Sequence, residues 1–109
     1  MEVTFNQVTK GAKLLDKKFP GWEKKIDPEI LDMANPSVCI LGQLHGDYAT
    51  GSVKLFPLSR TNAEDRAMRY GFDSLEESYG PSYEQLNCAW MLEIAKRLSP
   101  KWQRKQKAR

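Results

Sequence analysis

The apolar positions of this chain recur at helical intervals near both of its ends. Towards the N-terminus, four apolar residues follow one another at intervals of three or four positions: Val8, Ala12, Leu15 and Phe19. This spacing is that of one helix face, so we predict a helix over residues 5–19, ended by Pro20 and Gly21. Gly11 lies inside that helix and destabilises it by about 1 kcal/mol relative to alanine. A glycine there indicates that another element approaches the helix closely.

The clearest periodicity lies in the last third of the chain. Ser82 and Gln85 have the spacing of a capping box, which begins a helix. We predict this helix over residues 82–99, ended by Pro100. Its apolar stripe contains residues at helical spacing: Tyr83, Leu86, Ala89, Trp90, Ile94 and Leu98. Trp90 lies in the middle of the stripe and is therefore expected in the core.

Two shorter helices are predicted from similar start and stop signals. Thr61 and Glu64 repeat the capping-box spacing and predict a helix to residue 70, with Gly71 as its C-terminal stop. Asp27, with Pro28 and Glu29 after it, has the composition of another helix start. The short helix that it predicts would have an apolar side made of Ile30, Leu31 and Met33.

The run of residues 38–44 is ambiguous between a strand and a helix. It begins with the β-branched Val38, as a buried strand would, but Leu41 and Leu44 keep helical spacing. The sequence has no second strand-like run, and a lone strand leaves its backbone groups unpaired. We therefore predict a buried helix, and a further short helix after it that begins at Asp47 and runs to residue 55.

Together these elements predict an all-α fold. It is a compact single domain of five or six helices over residues 1–100, several of them short, followed by a basic C-terminal tail over residues 101–109. A chain of 109 residues has the size of one domain. It contains no apolar run of the roughly 18–20 residues that cross a bilayer, and its start lacks the pattern of a signal peptide. We expect it in the cytoplasm of a host cell.

Charge divides the chain into a nearly neutral body and a basic end. The formal net charge is +3, and the last nine residues carry five cations and no acid, so that residues 1–100 sum to −2. Residues 1–25 hold six lysines against three acids, whereas residues 26–100 hold six cations against eleven acids. The lysines between residues 10 and 25 are most simply the solvated face of the first helix and of the turn after it.

No group of residues has the spacing of a catalytic or metal site. His45 is the only histidine, and Cys39 lies six residues before it, which on a helix is about 600° of rotation. A reactive cysteine–histidine pair must lie within hydrogen-bond distance, so we predict a structural role for His45. Cys39 and Cys88 are expected to be buried, reduced thiols. We predict that the protein is not an enzyme and holds neither a metal nor a cofactor.

Residues 11–97 also carry short motifs in a recognisable order. They are Gly11-Ala12, Leu14-Leu15-Asp16, Pro20-Gly21-Trp22, Ile26-Asp27, Leu31-Asp32, Cys39, Leu41-Gly42-Gln43-Leu44 with Gly46 and Tyr48, Gly71-Phe72-Asp73, and Tyr83, Leu86 and Trp90. This order resembles small uncharacterised proteins of actinobacteria and their phages, most specifically over residues 41–48. The resemblance implies a phage or prophage setting and transfers no activity. The tyrosine usual in that family at the position of His45 implies that this histidine is not catalytic.

From these observations we expect a non-enzymatic phage or prophage protein that binds a host or phage protein. Its specific form would be an inhibitor of a nucleic-acid enzyme or of a defence nuclease. The candidate partner-binding residues are acids that could imitate nucleic acid towards a basic partner: Asp47, Glu64, Asp65, Asp73, Glu76 and Glu77. A merely solvated acidic surface is the alternative interpretation.

The alternative function is binding of nucleic acid through basic residues. The tail supplies cations and one aromatic side chain for this purpose: Lys101, Trp102, Arg104, Lys105, Lys107 and Arg109. The lysine face of residues 10–25 would extend the contact. The negative balance of residues 1–100 argues against this alternative, because nucleic-acid binding depends on accumulated positive charge.

Overall fold

A computed structural model describes residues 2–56, 63–73 and 82–99, and their regular elements are helical. Five α-helices follow one another along these residues: α1 (Glu2–Lys18), α2 (Ile40–His45), α3 (Tyr48–Leu55), α4 (Ala63–Arg69) and α5 (Tyr83–Leu98). A short 3₁₀ helix, Trp22–Lys25, follows α1. The described residues form no strand, which confirms the all-α prediction. The predicted basic tail lies outside the described residues.

The two longest helices, α1 and α5, pack against each other and form the centre of the fold. The 3₁₀ helix packs against α5 and α2, α2 packs against α3, and α3 packs against α4. From α1 the core receives Val8, Ala12 and Leu15, as the periodicity predicted. The buried stripe of α5 that faces them is likewise formed by predicted residues: Leu86, Ala89, Trp90 and Ile94.

Trp90 lies where α1, α5 and the end of α4 meet. Its ring stacks on Phe72 with a centroid separation of 5.1 Å, and its Nε1–H donates to the carbonyl of Gly71 at 2.7 Å. On the other side of this contact, α1 passes close to the turn after α4. A Cβ atom on Gly11 would overlap the carbonyl oxygen of Tyr70. The expected close approach at Gly11 is therefore confirmed.

The chain reverses its direction at the end of α4. Gly71 has a φ of 78°, the left-handed conformation that glycine adopts without strain. Its amide donates to the carbonyl of Met68, and the amide of Phe72 donates to the carbonyl of Ala67, at 3.1 and 2.8 Å. These two bonds form a Schellman motif, so Gly71 ends the helix as predicted.

The middle of the chain forms the two short helices α2 and α3. The predicted buried helix is confirmed but begins at Ile40, because the thiol of Cys39 caps it by accepting from the amide of Gly42 at 3.3 Å. The carboxylate of Asp47 caps α3 by accepting from the amide of Thr50 at 2.7 Å. Both caps satisfy amides that a helix start leaves without a partner.

The capping box predicted for α5 is also present. The amide of Gln85 donates to the hydroxyl of Ser82 at 3.1 Å, and the amide of Ser82 donates to the side chain of Gln85 at 3.2 Å. The corresponding box predicted at Thr61 and Glu64 includes residues outside the described ones.

The helix predicted to start at Asp27 is wrong, because residues 26–39 form a series of turns. The carboxylates of Asp27 and Asp32 and the amide oxygen of Asn35 each accept from the backbone amide two residues later, at 2.9, 3.0 and 2.9 Å. Such local bonds compete with helical ones and favour turns. Ile30, predicted to lie on an apolar helix side, is 51% exposed, whereas Met33 is buried.

Trp90→Ala is expected to reduce the free energy of unfolding by about 3–5 kcal/mol, because it leaves a large cavity and removes the bond to Gly71. Urea unfolding followed by circular dichroism measures this loss. The matched control is Leu92→Ala on the exposed side of the same helix, for which we expect a loss below about 1 kcal/mol. Equal losses in the two variants would contradict this packing of α5.

Candidate functional site

Arg97 anchors the inner side of α5 through a buried network of charged side chains. It is 2% exposed, and its guanidinium donates to both carboxylate oxygens of Asp16 at 2.9 and 2.8 Å and to the carboxylate of Glu93 at 2.7 Å. The indole of Trp22 also donates to Asp16, at 3.0 Å, and Thr9 donates to Glu93 at 3.1 Å. The network thereby joins α1, the 3₁₀ helix and α5.

The same network sets the protonation of its carboxylate on α1. Burial by itself would raise the pKa of the Asp16 carboxyl, but the hydrogen bonds from Arg97 and Trp22 outweigh burial and lower that pKa. The guanidinium keeps its charge, because Asp16 and Glu93 raise the pKa of Arg97 despite burial. A permanently charged group that is fully engaged in pairing stabilises the helix contact and is not a proton carrier.

The outer side of α5 is apolar as well. Five exposed residues share it, and we call them the outer face of α5: Cys88, Met91, Leu92, Ala95 and Leu98. At about 100° of rotation per residue they centre about 165° from the buried stripe. Leu92 is 54% and Leu98 45% exposed. Exposed faces of surface helices ordinarily carry polar residues, so this face requires an explanation other than folding.

The charged residues near the outer face lie towards the two ends of the helix. Glu84 is in the first turn, and Lys96 lies in the last turn at the edge of the apolar residues. The outer face runs from Cys88 to Leu98, which is about 15 Å along the helix axis. Its length and width match the contact surface of one packed helix.

The sequence pattern contained this face, but its interpretation was wrong at two residues. Leu98 was predicted to extend the buried stripe and Cys88 to be a buried thiol, and both are exposed. The spacing of the apolar residues identified the buried stripe but not its edge, because α5 is apolar on two sides. The burial of Arg97 beside this stripe was not indicated by the sequence.

Cys39 and His45 lie at opposite ends of α2 and contact different groups. Burial raises the pKa of the Cys39 thiol, and that thiol caps α2, so it is an unreactive group. The ring of His45 packs edge-on against Phe19 with a centroid separation of 4.8 Å. The structural role predicted for His45 agrees with this packing.

Two of the acidic residues predicted to bind a partner have described side chains, and both accept local hydrogen bonds. Asp47 is exposed and accepts from the amide and hydroxyl of Thr50, which makes it a helix cap. Asp73 accepts from the hydroxyl of Tyr83 at 2.9 Å. The side chains of the other four lie outside the described residues: Glu64, Asp65, Glu76 and Glu77.

The basic residues predicted as an alternative site divide in the same way. The tail residues lie outside the described part of the chain: Lys101, Trp102, Arg104, Lys105, Lys107 and Arg109. The lysines of α1 and of the 3₁₀ helix are exposed, as predicted. Lys18 differs from the others because its ammonium donates to the carbonyl of Leu55, at the end of α3, at 2.8 Å.

Within residues 2–56, 63–73 and 82–99, no helix has the length and apolar character needed to cross a bilayer. The same residues bring together no group of three or more histidine, cysteine, aspartate or glutamate side chains that could hold a metal ion.

Comparisons with protein-family models, with curated proteins and with solved structures find no match to this chain. Functional proposals therefore depend on its own geometry.

Asp16→Asn is expected to weaken the dependence of stability on acid. Because the pKa of Asp16 is lowered in the folded protein, its contribution is fully present above the ordinary value of 3.8 and is lost as the pH falls through the lower folded value. Urea unfolding at neutral pH and at about pH 2–4 should show a smaller acid-induced loss in the variant than in the wild type. Glu29→Gln, at an exposed turn, is the control and should behave as the wild type. Equal losses in the wild type and in Asp16→Asn would contradict the role of this carboxylate.

Proposed function

We propose that this protein acts without catalysis, as a binding protein that docks onto another protein through the outer face of α5. The observation that carries the proposal is the continuous row of exposed apolar side chains opposite the buried stripe of the same helix. Exposed apolar patches on folded domains mark interaction surfaces. The exposed residues of this row add little to folding, so binding is the role that accounts for them.

The way in which α5 is held favours this use. Its start is fixed by the capping box, and its last turn is fixed by the pairing of Arg97 with Asp16 and Glu93. A surface that is already rigid loses little conformational entropy when a partner binds. The outer face of α5 therefore has a fixed conformation in the absence of a partner.

The shape and charge of the face define the partner chemistry. An apolar face one helix wide fits an amphipathic helix of the partner, the arrangement in which apolar anchors recur every three or four residues. Glu84 in the first turn favours a partner helix that carries a cation near it.

We further propose a phage or prophage setting, for which the support is the order of short motifs over residues 11–97 alone. We propose a host or phage protein as the partner and occupation of its surface as the mechanism of inhibition. A nucleic-acid enzyme or a defence nuclease is the partner class that the predicted acidic residues would suit. The two described acids support this part less than the outer face supports docking, because Asp47 caps a helix and Asp73 binds Tyr83.

The docking proposal is tested with a photo-reactive residue in place of Ala95 and a purified partner identified from the cross-link. Leu92→Lys is expected to weaken the affinity for that partner by about tenfold or more, because it places a charge in the centre of the apolar contact. Val53→Lys on α3 is the matched control, since Val53 is 59% exposed and lies on another helix. Its affinity should remain within about twofold of the wild type.

Two results would overturn the docking proposal. One is an unchanged affinity in Leu92→Lys. The other is a cross-link from position 95 that joins only two copies of this chain, which would make the outer face an interface between identical subunits.

A second candidate function is binding of nucleic acid, which one structural observation favours. Lys10, Lys13 and Lys17 are exposed and lie on one side of α1, so three cations are presented together. The predicted basic tail would add five more cations. Phosphate contacts of this kind give affinity without sequence preference.

Removal of residues 101–109 is expected to abolish weak, non-specific DNA binding in gel shifts. About four or five neutralised phosphates would give a salt slope near −4 for the whole chain, with binding lost near physiological salt. In the whole chain, replacing Lys10, Lys13 and Lys17 by glutamine should make the salt slope less steep, because fewer phosphates are neutralised. Arginine at the same three positions should retain the slope. Tight, sequence-selective binding at physiological salt would instead make nucleic-acid binding the primary function.

A further inference from the structure

A small cavity lies between the end of α1, the 3₁₀ helix and the end of α2. Its volume is about 300 Å³, and its lining combines two lysines and a histidine with apolar side chains: Lys18, Phe19, Pro20, Trp22, Lys25, Leu44 and His45. No acidic residue is among these lining residues of the described chain. The outer face of α5 does not contribute to this cavity, so the cavity is independent of the proposed docking surface.

The charged side chains that line the cavity are cations, Lys18 and Lys25. The pKa of His45 is lowered from its ordinary value of 6.5, first by burial and then by the charges of Lys54 and Lys25. Lys18, which also lines the cavity, is fixed in place by its bond to the carbonyl of Leu55. The lowered pKa favours the neutral form of His45, and no carboxylate is among the lining residues described here.

The ring of His45 is held by packing and lacks a polar partner. Phe19 contacts it edge-on, and a Cβ atom on Gly51 would lie 3.0 Å from its Cδ2. Its Nε2 is buried and has no hydrogen-bond partner among the described residues. Native proteins rarely leave such a group unpaired, because the lost hydrogen bond costs about 1–3 kcal/mol. The packing against Phe19 and Gly51 therefore does not supply a partner for the polar Nε2 atom of His45.

We infer that this cavity binds a small organic anion with a flat apolar body, of which an aromatic carboxylate is the simplest example. Lys25 and Lys18 attract the anionic group, and the walls of Phe19, Pro20 and Leu44 accept the apolar body. A volume near 300 Å³ is at the small end of ligand pockets and suits a ligand with a single ring. The bound negative charge offsets the repulsion between the two lining lysines, Lys18 and Lys25.

Anion binding and protonation of His45 are linked. A bound anion favours the imidazolium form and therefore raises the pKa of His45. By reciprocity, the affinity for the anion increases as the pH falls through the pKa of His45. Burial opposes protonation of His45 most strongly, and the charges of Lys54 and Lys25 oppose it further.

The experiment uses His45 as its reporter, because this is the only histidine and its ring signals need no assignment. Proton NMR follows the pKa of His45 in the full chain with benzoate, with benzamide as the uncharged analogue, and with inorganic phosphate. We expect benzoate to raise the pKa with half-saturation on the order of 1 mM, benzamide to leave the pKa unchanged, and phosphate to act more weakly than benzoate.

Two variants assign the effect to the cavity. Lys25→Gln should raise the pKa of His45 in the absence of ligand and weaken benzoate binding by about fivefold or more. Lys24→Gln removes the neighbouring exposed lysine, which does not line the cavity, and should leave the half-saturation concentration within about twofold of the wild type.

Three results would overturn the inference. They are the absence of any response to benzoate, an equal response to benzamide, and an equal loss of benzoate affinity in Lys24→Gln and Lys25→Gln. A response to phosphate as strong as that to benzoate would overturn the assignment of a flat apolar ligand.

Discussion

The pairing of Arg97 with Asp16 and Glu93 is the constraint on which the arrangement of the central helices depends. A buried guanidinium that loses one carboxylate partner destabilises a protein by about 3–5 kcal/mol. The two bonds to Asp16 restrict the position of α5 along α1 and its rotation about its own axis, since both carboxylate oxygens accept. Trp22 is drawn into the same contact, because its indole donates to Asp16 and the guanidinium lies 5.6 Å from its ring centroid.

The rotation of α5 that this pairing requires also decides which residues reach solvent. With Arg97 and Glu93 turned towards α1, the apolar residues on the opposite side are directed outward. The packing of Trp90 on Phe72 favours the same rotation of α5. The charged network and this apolar contact together leave the outer face of α5 exposed. The pairing of Arg97 with Asp16 and Glu93 therefore bears on both the packing of α5 and the exposure of its outer face.

The turns of residues 26–39 bring α2 back against the end of α1. Polar side chains in this segment accept hydrogen bonds from its own backbone, which keeps the segment compact. Gln43 of α2 accepts from the amide of Asp27 at 2.6 Å, and Asn87 of α5 accepts from the amide of Met33 at 2.7 Å. These bonds hold His45 beside Phe19 and Lys25 and so create the cavity that Lys18 and Lys25 line.

The sequence alone determined the features that depend on local interactions. Helical periodicity predicted the core residues of α1 and most of those of α5, and the capping residues Asp47 and Ser82 marked helix starts, because both effects act within one or two turns. Gly71 marked the end of α4 for the same reason. The glycine at position 11 indicated a close contact but not its partner, which is the carbonyl of Tyr70.

Only the tertiary structure decided that Arg97 lies on the buried side of α5, that Cys88 and Leu98 are exposed, and what surrounds His45. Arg97 and Asp16 are 81 residues apart in the chain, and no local pattern distinguishes a buried, paired arginine from a solvated one. Local signals also misled at Asp27, where a sequence suited to a helix start forms a turn because its side chain binds the backbone two residues later. Long-range pairing and the choice between competing local hydrogen bonds depend on the packing of the whole chain. The outer face of α5 and the cavity beside His45 depend on both.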